Sequence, residues 1–179
     1  GFAGRLLTSK GIRALVAAHR ILRTQGMDIR LLIAGTPDPA NPDSVTLEEA
    51  QQWNSEPGIK WLGQVGDIAS LWRGSHIAAL PSHREGLPKS LLEAAACGRP
   101  MVATDAPGCR EIVIHEKTGL LVPIEDPQAL AKAIGELAAS QELRTRYGAA
   151  ARQLVVDEMS AQAIGAATVA LYEEQLQRI

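Results

Sequence analysis

Apolar positions along the chain switch between two periods. From Lys10 to Gln25, Ile12, Leu15, Val16 and Leu22 recur at helical spacing and leave Arg13, Arg20 and Thr24 outward, with Gly26 placed to stop the helix. His19 falls on the same stripe, where a core histidine is expected rather than a ligand. Residues 29–34 then form a short apolar run ending at Gly35, a strand, and three prolines between Thr36 and Pro42 make the next stretch a loop at that strand's carboxyl end. The unit repeats as helix 46–53, strand 59–62, helix 67–74, strand 76–80, helix 88–97, strand 101–104 and a short strand at 119–122. Beyond it the pattern is purely helical: Asp126 caps a helix opening at Pro127, a second lies near 141–157, and a third runs from Ser160 to the end. Strands alternating with helices predict right-handed βαβ units and a doubly wound, Rossmann-like α/β domain with a helical C-terminal tail over 127–179. In that fold ligands bind beyond the carboxyl ends of the strands. At the start, Gly1 to Leu6 reads as a strand with its turn, which leads one to expect a chain cut from something longer.

Composition narrows the class. With 179 residues, 46% hydrophobic and 21% charged, the chain has the make-up of one globular domain and not of a disordered, collagenous or disulfide-stapled one. Eighteen Lys and Arg against 20 Asp and Glu give a net charge of -2, which does not call for nucleic acid or an anionic membrane. No run approaches the roughly 18 consecutive apolar residues of a membrane span, so a soluble chain is expected. Cys97 and Cys109, with no CxxC spacing, read as small buried hydrophobes.

The chemistry gathers at two strand ends. The first strand is followed by Gly4-Arg5-Leu6-Leu7-Thr8-Ser9-Lys10-Gly11, which is neither GxGxxG nor a GxxxxGK[ST] phosphate loop. It carries instead an Arg and a Lys five apart, side-chain cations able to neutralise a phosphate, though two solvated turn charges would look the same. The second constellation runs from Leu80 to Ala94. Pro88 suits the first helical position, leaving the amides around Leu87 to Ser90 as free donors at a helix's positive end. Glu85 precedes the helix and Glu93 stands about 7.5 Å along its axis, so two carboxylates flank a diphosphate cradle, a layout suited to the hydroxyls of a sugar nucleotide. The spacing alone is weak: 13 Glu in the chain produce about one such pair by chance, and Glu48 with Glu56 is another. Without context, Glu93 is a helix-surface partner of Lys89 and Glu85 a solvated loop charge.

Context comes from the whole segment PSHREGLPKSLLEAAACGRPMVATDAPGCREIV. It closely resembles the donor-binding signature of the family 4 retaining glycosyltransferases, whose Glu-x7-Glu motif is met by Glu85 and Glu93. GRLLTSKG resembles the family's Arg/Lys turn, LGQV at 62–65 its nucleoside-contact loop, and GLLVP at 119–123 a later strand. The resemblance covers Gly4 to about Pro123, plus a compatible tail. It implies the C-terminal, donor-binding half of a two-domain GT-B enzyme, with the acceptor-binding N-terminal domain absent from this chain. It further implies that Arg5 and Lys10 stabilise the leaving diphosphate and that Val65 meets the base through its backbone. Glu85 would bind the donor sugar, the amides of Gly86, Leu87, Lys89 and Ser90 around Pro88 the sugar and phosphate, and Glu93 the ribose. No metal or other cofactor is implied.

The same resemblance implies hexose or N-acetylhexosamine transfer from a UDP-sugar to a lipid-linked or glycan acceptor in bacterial surface polysaccharide synthesis, lipopolysaccharide included. The expected place is the cytoplasm, with the full-length enzyme peripheral at the inner face of the membrane. Asp67 fits either a contact near the base or ribose or, preferably, the cap of helix 67–74. Arg110 and Glu111 are expected to support the loop facing the donor or to pair structurally; His83 and Arg84 adjoin the site without a catalytic role. Rival readings are a sugar-nucleotide epimerase, a phosphorylase, whose pyridoxal phosphate lysine has no clear local context, and a non-catalytic nucleotide-binding module. The missing glycine fingerprint disfavours a dehydrogenase.

Overall fold

A computed structural model describes residues 1–176 and 178. Six strands, β1 (Phe2–Ala3), β2 (Leu31–Ala34), β3 (Ile59–Gly63), β4 (Ala78–Leu80), β5 (Met101–Thr104) and β6 (Gly119–Val122), alternate with α1 (Ile12–Thr24), α2 (Leu47–Asn54), α3 (Ile68–Gly74), α4 (Lys89–Ala96) and α5 (Cys109–Ile112). Three helices follow: α6 (Pro127–Ala139), α7 (Gln141–Glu158) and α8 (Ala161–Leu176). The strands form two parallel ladders, β1-β2-β3 and β4-β5-β6. The ladders meet where the Ala79 amide donates to the Gly1 carbonyl at 2.9 Å. The spatial order is therefore β3-β2-β1-β4-β5-β6, the Rossmann-like arrangement that the alternation predicts.

Strand and helix bounds depart from the pattern by a few residues. The expected first helix is split: a 3₁₀ turn over Thr8–Lys10 precedes Gly11, and α1 begins only at Ile12. The short α5 has no counterpart in the expected pattern, because four residues are too few to show a helical period. Phe2, Ile33, Leu91, Met101 and Leu130 are fully enclosed in one apolar core, and each such side chain contributes roughly 1.5–3 kcal/mol through burial. Helix α1 packs on α6 and α4 on α7, so the first two tail helices belong to the core.

Helix α8 does not. It buries none of its residues, and Ile164, Val169, Leu171, Tyr172 and Leu176 are exposed. The stretch Gln141–Leu176 also holds an 18-residue window of mean hydropathy 1.3, long and apolar enough by length and composition to cross a membrane. The stretch spans α7, α8 and the break between them; alanines and scattered aliphatics raise its mean, while interspersed polar residues keep it from being a continuous apolar run.

His19 is a core histidine, as its position on the α1 stripe predicts, yet only half satisfied. Its Nε2 lies 3.2 Å from the Ile29 carbonyl, and its Nδ1 is buried without a partner. Burial outweighs that hydrogen bond and lowers the imidazole below its ordinary value of 6.5. The unfolded chain therefore takes up this proton at a higher pH than the folded one. Stability is intact above the unfolded value and is lost as pH falls through it toward the folded value. Melting temperature should drop between pH 7.5 and 5.5, and His19→Gln should flatten that drop. An unchanged pH slope in the variant would show that His19 is not the group responsible.

Candidate functional site

The site follows from which helix ends lack caps. The helices after β2, β3 and β6 are closed by side chains: Thr46 accepts from the Glu49 amide, Asp67 from Ser70 and Asp126 from Ala129. Those after β1, β4 and β5 have no capping side chain among the described residues. At α5 the Cys109 and Arg110 amides turn back to the Ala106 carbonyl, whereas at α4 the amides of Lys89 and Ser90 lead the helix. Three helix amino ends without a capping side chain thus lie along the carboxyl edge where strand order reverses. That is where ligands of an open parallel sheet bind.

The first wall is the turn carrying Arg5 and Lys10. Gly11 closes it at φ +70, where a Cβ would stand 2.7 Å from the Pro81 carbonyl carbon, so the turn lies directly against the β4 loop. A second loop fixes it from above: the Asp43 carboxylate accepts from the Ser9 amide at 2.9 Å and from the Ser9 hydroxyl, and the Thr8 amide donates to the Asp43 carbonyl at 2.8 Å. The Ser9 hydrogen bonds hold the Asp43 carboxyl below the usual carboxylate range. The Ser9 amide is thereby occupied, and the turn presents side-chain cations rather than free backbone donors.

Both of those side chains are already paired. Lys10 Nζ lies 2.6 and 2.7 Å from the two oxygens of Glu85, and Arg5 Nη1 lies 3.0 Å from Asp38 Oδ2. The two pairs differ in setting. The Glu85 side chain is 9% exposed and Lys10 25%, whereas Arg5 is 61% exposed. A carboxylate as enclosed as Glu85 requires a partner, and Lys10 supplies it.

The second wall is the segment from Ser82 to Glu93. Its start is tied to the first wall, since the His83 amide and the Ser82 hydroxyl both donate to the Ser9 carbonyl, at 2.8 and 3.0 Å. The Glu85 amide donates to the Pro107 carbonyl at 3.1 Å. Gly86 and Leu87 are exposed beyond it. Pro88 is the N-cap of α4, with extended ψ of 109, and not its first helical residue. The correction is by one position, and the amides of Lys89 and Ser90 open the helix. Glu93 is partly buried and lies 3.6 Å from Lys89 Nζ, the helix-surface contact that its spacing allows. The structure thus brings Lys10, Glu85 and the start of α4 together, carries Arg5 on the same turn as Lys10 with its side chain on Asp38, and places Glu93 within the first turns of that helix.

The other residues singled out fall as follows. Val65 lies at the carboxyl end of β3, half-buried against the core. Asp67 is the α3 cap, its carboxyl lowered by the hydrogen bonds from Ser70. Arg110 reaches Asp105 at 3.1 Å, so Arg110 and Glu111 are not a pair; adjacent helical residues point apart. His83 Nε2 stands 3.5 Å from Glu125, and Arg84 is exposed. Cys109 is buried, its thiol pushed up to about 11 by burial and then by the Glu85 carboxylate, while Cys97 is only half-buried. Sequence reasoning missed Asp38 and Asp43, although both stand in the proline-framed loop after β2. A cavity of about 690 Å³ lined by Gly1, His19, Asp28 and His76 surrounds the opposite, amino ends of the strands and is not this site.

One glycine makes the second wall possible. Gly108 has φ +79, and a Cβ there would stand 2.6 Å from the Glu85 carbonyl oxygen and also clash with that of Gly86. Gly108→Ala should cost about 3 kcal/mol, a melting-temperature fall of roughly 6–12 °C, and displace the Glu85–Gly86 segment. Gly165→Ala, with open space around it, should leave stability unchanged or slightly raised. Equal melting temperatures for the two variants would refute this packing.

Comparison with known proteins agrees with the geometry. The family model for glycosyl transferases group 1 matches residues 1–140. The capsular polysaccharide biosynthesis glycosyltransferase CapM of Staphylococcus aureus is 28% identical over 164 residues, covering 92% of this chain and 43% of the relative. A D-inositol 3-phosphate glycosyltransferase of Corynebacterium urealyticum is 36% identical over 150 residues, covering 80% and 35% respectively. In fold, the Anabaena protein Alr3699/HepE, crystallised in complex with UDP, superposes with a TM-score of 0.84 at 24% identity over 100% of this chain and 48% of its own. The chain spans less than half the length of each of these relatives. With its open helix ends, its two cations and its Glu-x7-Glu pair on one edge of a Rossmann-like sheet, it belongs to the glycosyl transferases group 1.

Proposed function

We propose that this chain is the donor-binding domain of a retaining glycosyltransferase that takes a hexose or N-acetylhexosamine from a UDP-sugar. The observation that carries the reading is the uncapped amino end of α4 beside the Lys10–Glu85 pair and Arg5. A diphosphate laid along this edge meets two cations and a helix's positive end. Negative charge grows on that diphosphate as the glycosidic bond breaks, so these fixed groups stabilise the transition state more than the ground state, with no metal required. Glu85 accepts hydroxyl hydrogen bonds from the sugar, Glu93 from the ribose, and the backbone at Val65 faces the base. UDP is the first ligand to test because HepE, which shares the fold, was crystallised with it.

The acceptor is placed in the half of the enzyme that this chain does not span, and a lipid-linked or glycan acceptor of surface polysaccharide synthesis fits the likeness to CapM. Without that half, the chain should bind donor but not turn it over, because juxtaposition of the two substrates supplies much of the acceleration.

The two glutamates separate the reading from its bland rival. Glu93→Gln should weaken UDP and UDP-glucose by a similar factor, since both carry the ribose. Glu85→Gln should lower the affinity for UDP-glucose relative to UDP. Each lost charge-assisted contact costs about 1.5–3 kcal/mol, roughly tenfold to a hundredfold in affinity. Calorimetric titration of both ligands reads these ratios. Unchanged affinities in Glu93→Gln, with a small fall in melting temperature, would reduce Glu93 to the Lys89 partner that its 3.6 Å contact describes. Failure of UDP to perturb the amide signals of Gly86 to Ser90 at millimolar concentration would remove the site altogether.

A further inference from the structure

Asp38 is the one acidic side chain among the described residues that meets Arg5, and the loop around it is held by its own hydrogen bonds. Its amide donates to the Ser44 hydroxyl at 2.8 Å and its carbonyl accepts from the Asn41 amide at 2.8 Å. Pro37 and Pro39 fix φ on either side. Ser44 is in turn bridged to Leu7, two residues beyond Arg5. The loop backbone is therefore fastened to the same turn that carries Arg5. Only the Asp38 side chain, 29% exposed, is left to move.

We propose that Asp38 is a built-in counter-ion of the donor site, a carboxylate that occupies Arg5 when no diphosphate is bound and competes with the departing nucleoside diphosphate for it. This rests on the reading that Arg5 faces the donor diphosphate. Arg5 has no other polar partner among the described residues, and at 61% exposure its pair with Asp38 is a weak one that a diphosphate readily displaces. A diphosphate offers the guanidinium more negative charge and a bidentate geometry. Once displaced, the carboxylate stays close, because its backbone cannot retreat, and it repels the ligand that replaced it. The repulsion grows with ligand charge. A free nucleoside diphosphate exposes a terminal phosphate with one more ionisable oxygen than the sugar-substituted one, so Asp38 disfavours the product more than the donor. Its effect is to set the ratio of the two affinities and so to favour product departure.

Asp38→Asn keeps the shape and an oxygen for Arg5 but removes the charge. Titration of the chain with UDP and UDP-glucose at low ionic strength should show UDP binding about fivefold tighter in the variant and UDP-glucose about twofold tighter. The difference should shrink as salt rises. In the Arg5→Ala background the gain should fall, because competition for the guanidinium is gone, while the larger gain for UDP than for UDP-glucose should persist, because the carboxylate still repels the ligand. Weaker or unchanged UDP binding in Asp38→Asn would overturn the inference and make Asp38 a structural support of the loop. Arg5→Ala separates the two levels of argument. If Arg5→Ala weakens UDP but Asp38→Asn does not tighten it, the counter-ion fails and the donor site stands; if Arg5→Ala leaves UDP affinity unchanged, the donor-site reading itself fails.

Discussion

Two hydrogen bonds at Gly1, its carbonyl accepting from the Ala79 amide and its amino group donating to the Ile77 carbonyl, join two ladders that would otherwise be separate three-stranded sheets. By seating β4 beside β1 they bring the turn at Arg5–Lys10 against the loop at Ser82–Glu85, segments about 75 residues apart in sequence. Every contact across the site depends on that adjacency. The Ser9 carbonyl receiving His83 and Ser82, Gly11 pressed on Pro81, and Lys10 reaching both oxygens of Glu85 are all consequences of one strand neighbouring another. The cost of the close approach is met by residues without bulk. Gly11 and Gly108 stand where a Cβ would strike the neighbouring backbone.

The site is electrostatically closed on itself. Each cation that suits a diphosphate is matched by a carboxylate, the more enclosed Lys10 by Glu85 and the exposed Arg5 by Asp38. This resolves a tension in placing charge at a protein edge: unpaired cations repel one another, while strongly buried pairs exchange partners reluctantly. Part-buried and exposed pairs hold the side chains in place and still yield to a more highly charged ligand. The backbone donors are distributed in the same spirit. The Ser9 amide is consumed by Asp43, whereas the start of α4 is left open. One wall thus presents side-chain cations and the other backbone donors. A dinucleotide fingerprint places close backbone approach at the first turn instead, and the sequence from Gly4 to Gly11 lacks the G-x-G-x-x-G spacing that allows it.

Much of this was legible in the residues. Periodicity located most helices and strands because each has one apolar face and its own period, and Asp67 and Asp126 marked helix starts through a chemistry that is local. The Arg5–Lys10 turn and the Glu85–Glu93 segment stood out because their residue types and resemblance are contained in short stretches.

By itself, then, the sequence determined the alternation of elements, the Rossmann-like class and the identity of the charged groups, since these rest on interactions between near neighbours in the chain. Tertiary structure decided the pairing of those charges. Nothing local ties Lys10 to Glu85, Arg5 to Asp38 or Ser9 to Asp43; these are meetings of loops that the sheet order brings to one edge. It also decided which helix ends remain open, because a cap is visible in sequence but the use of an uncapped end depends on what faces it. For the same reason Asp38 and Asp43 read in sequence as ordinary loop acids, and their roles emerged only where the proline-framed loop folds back over the first turn.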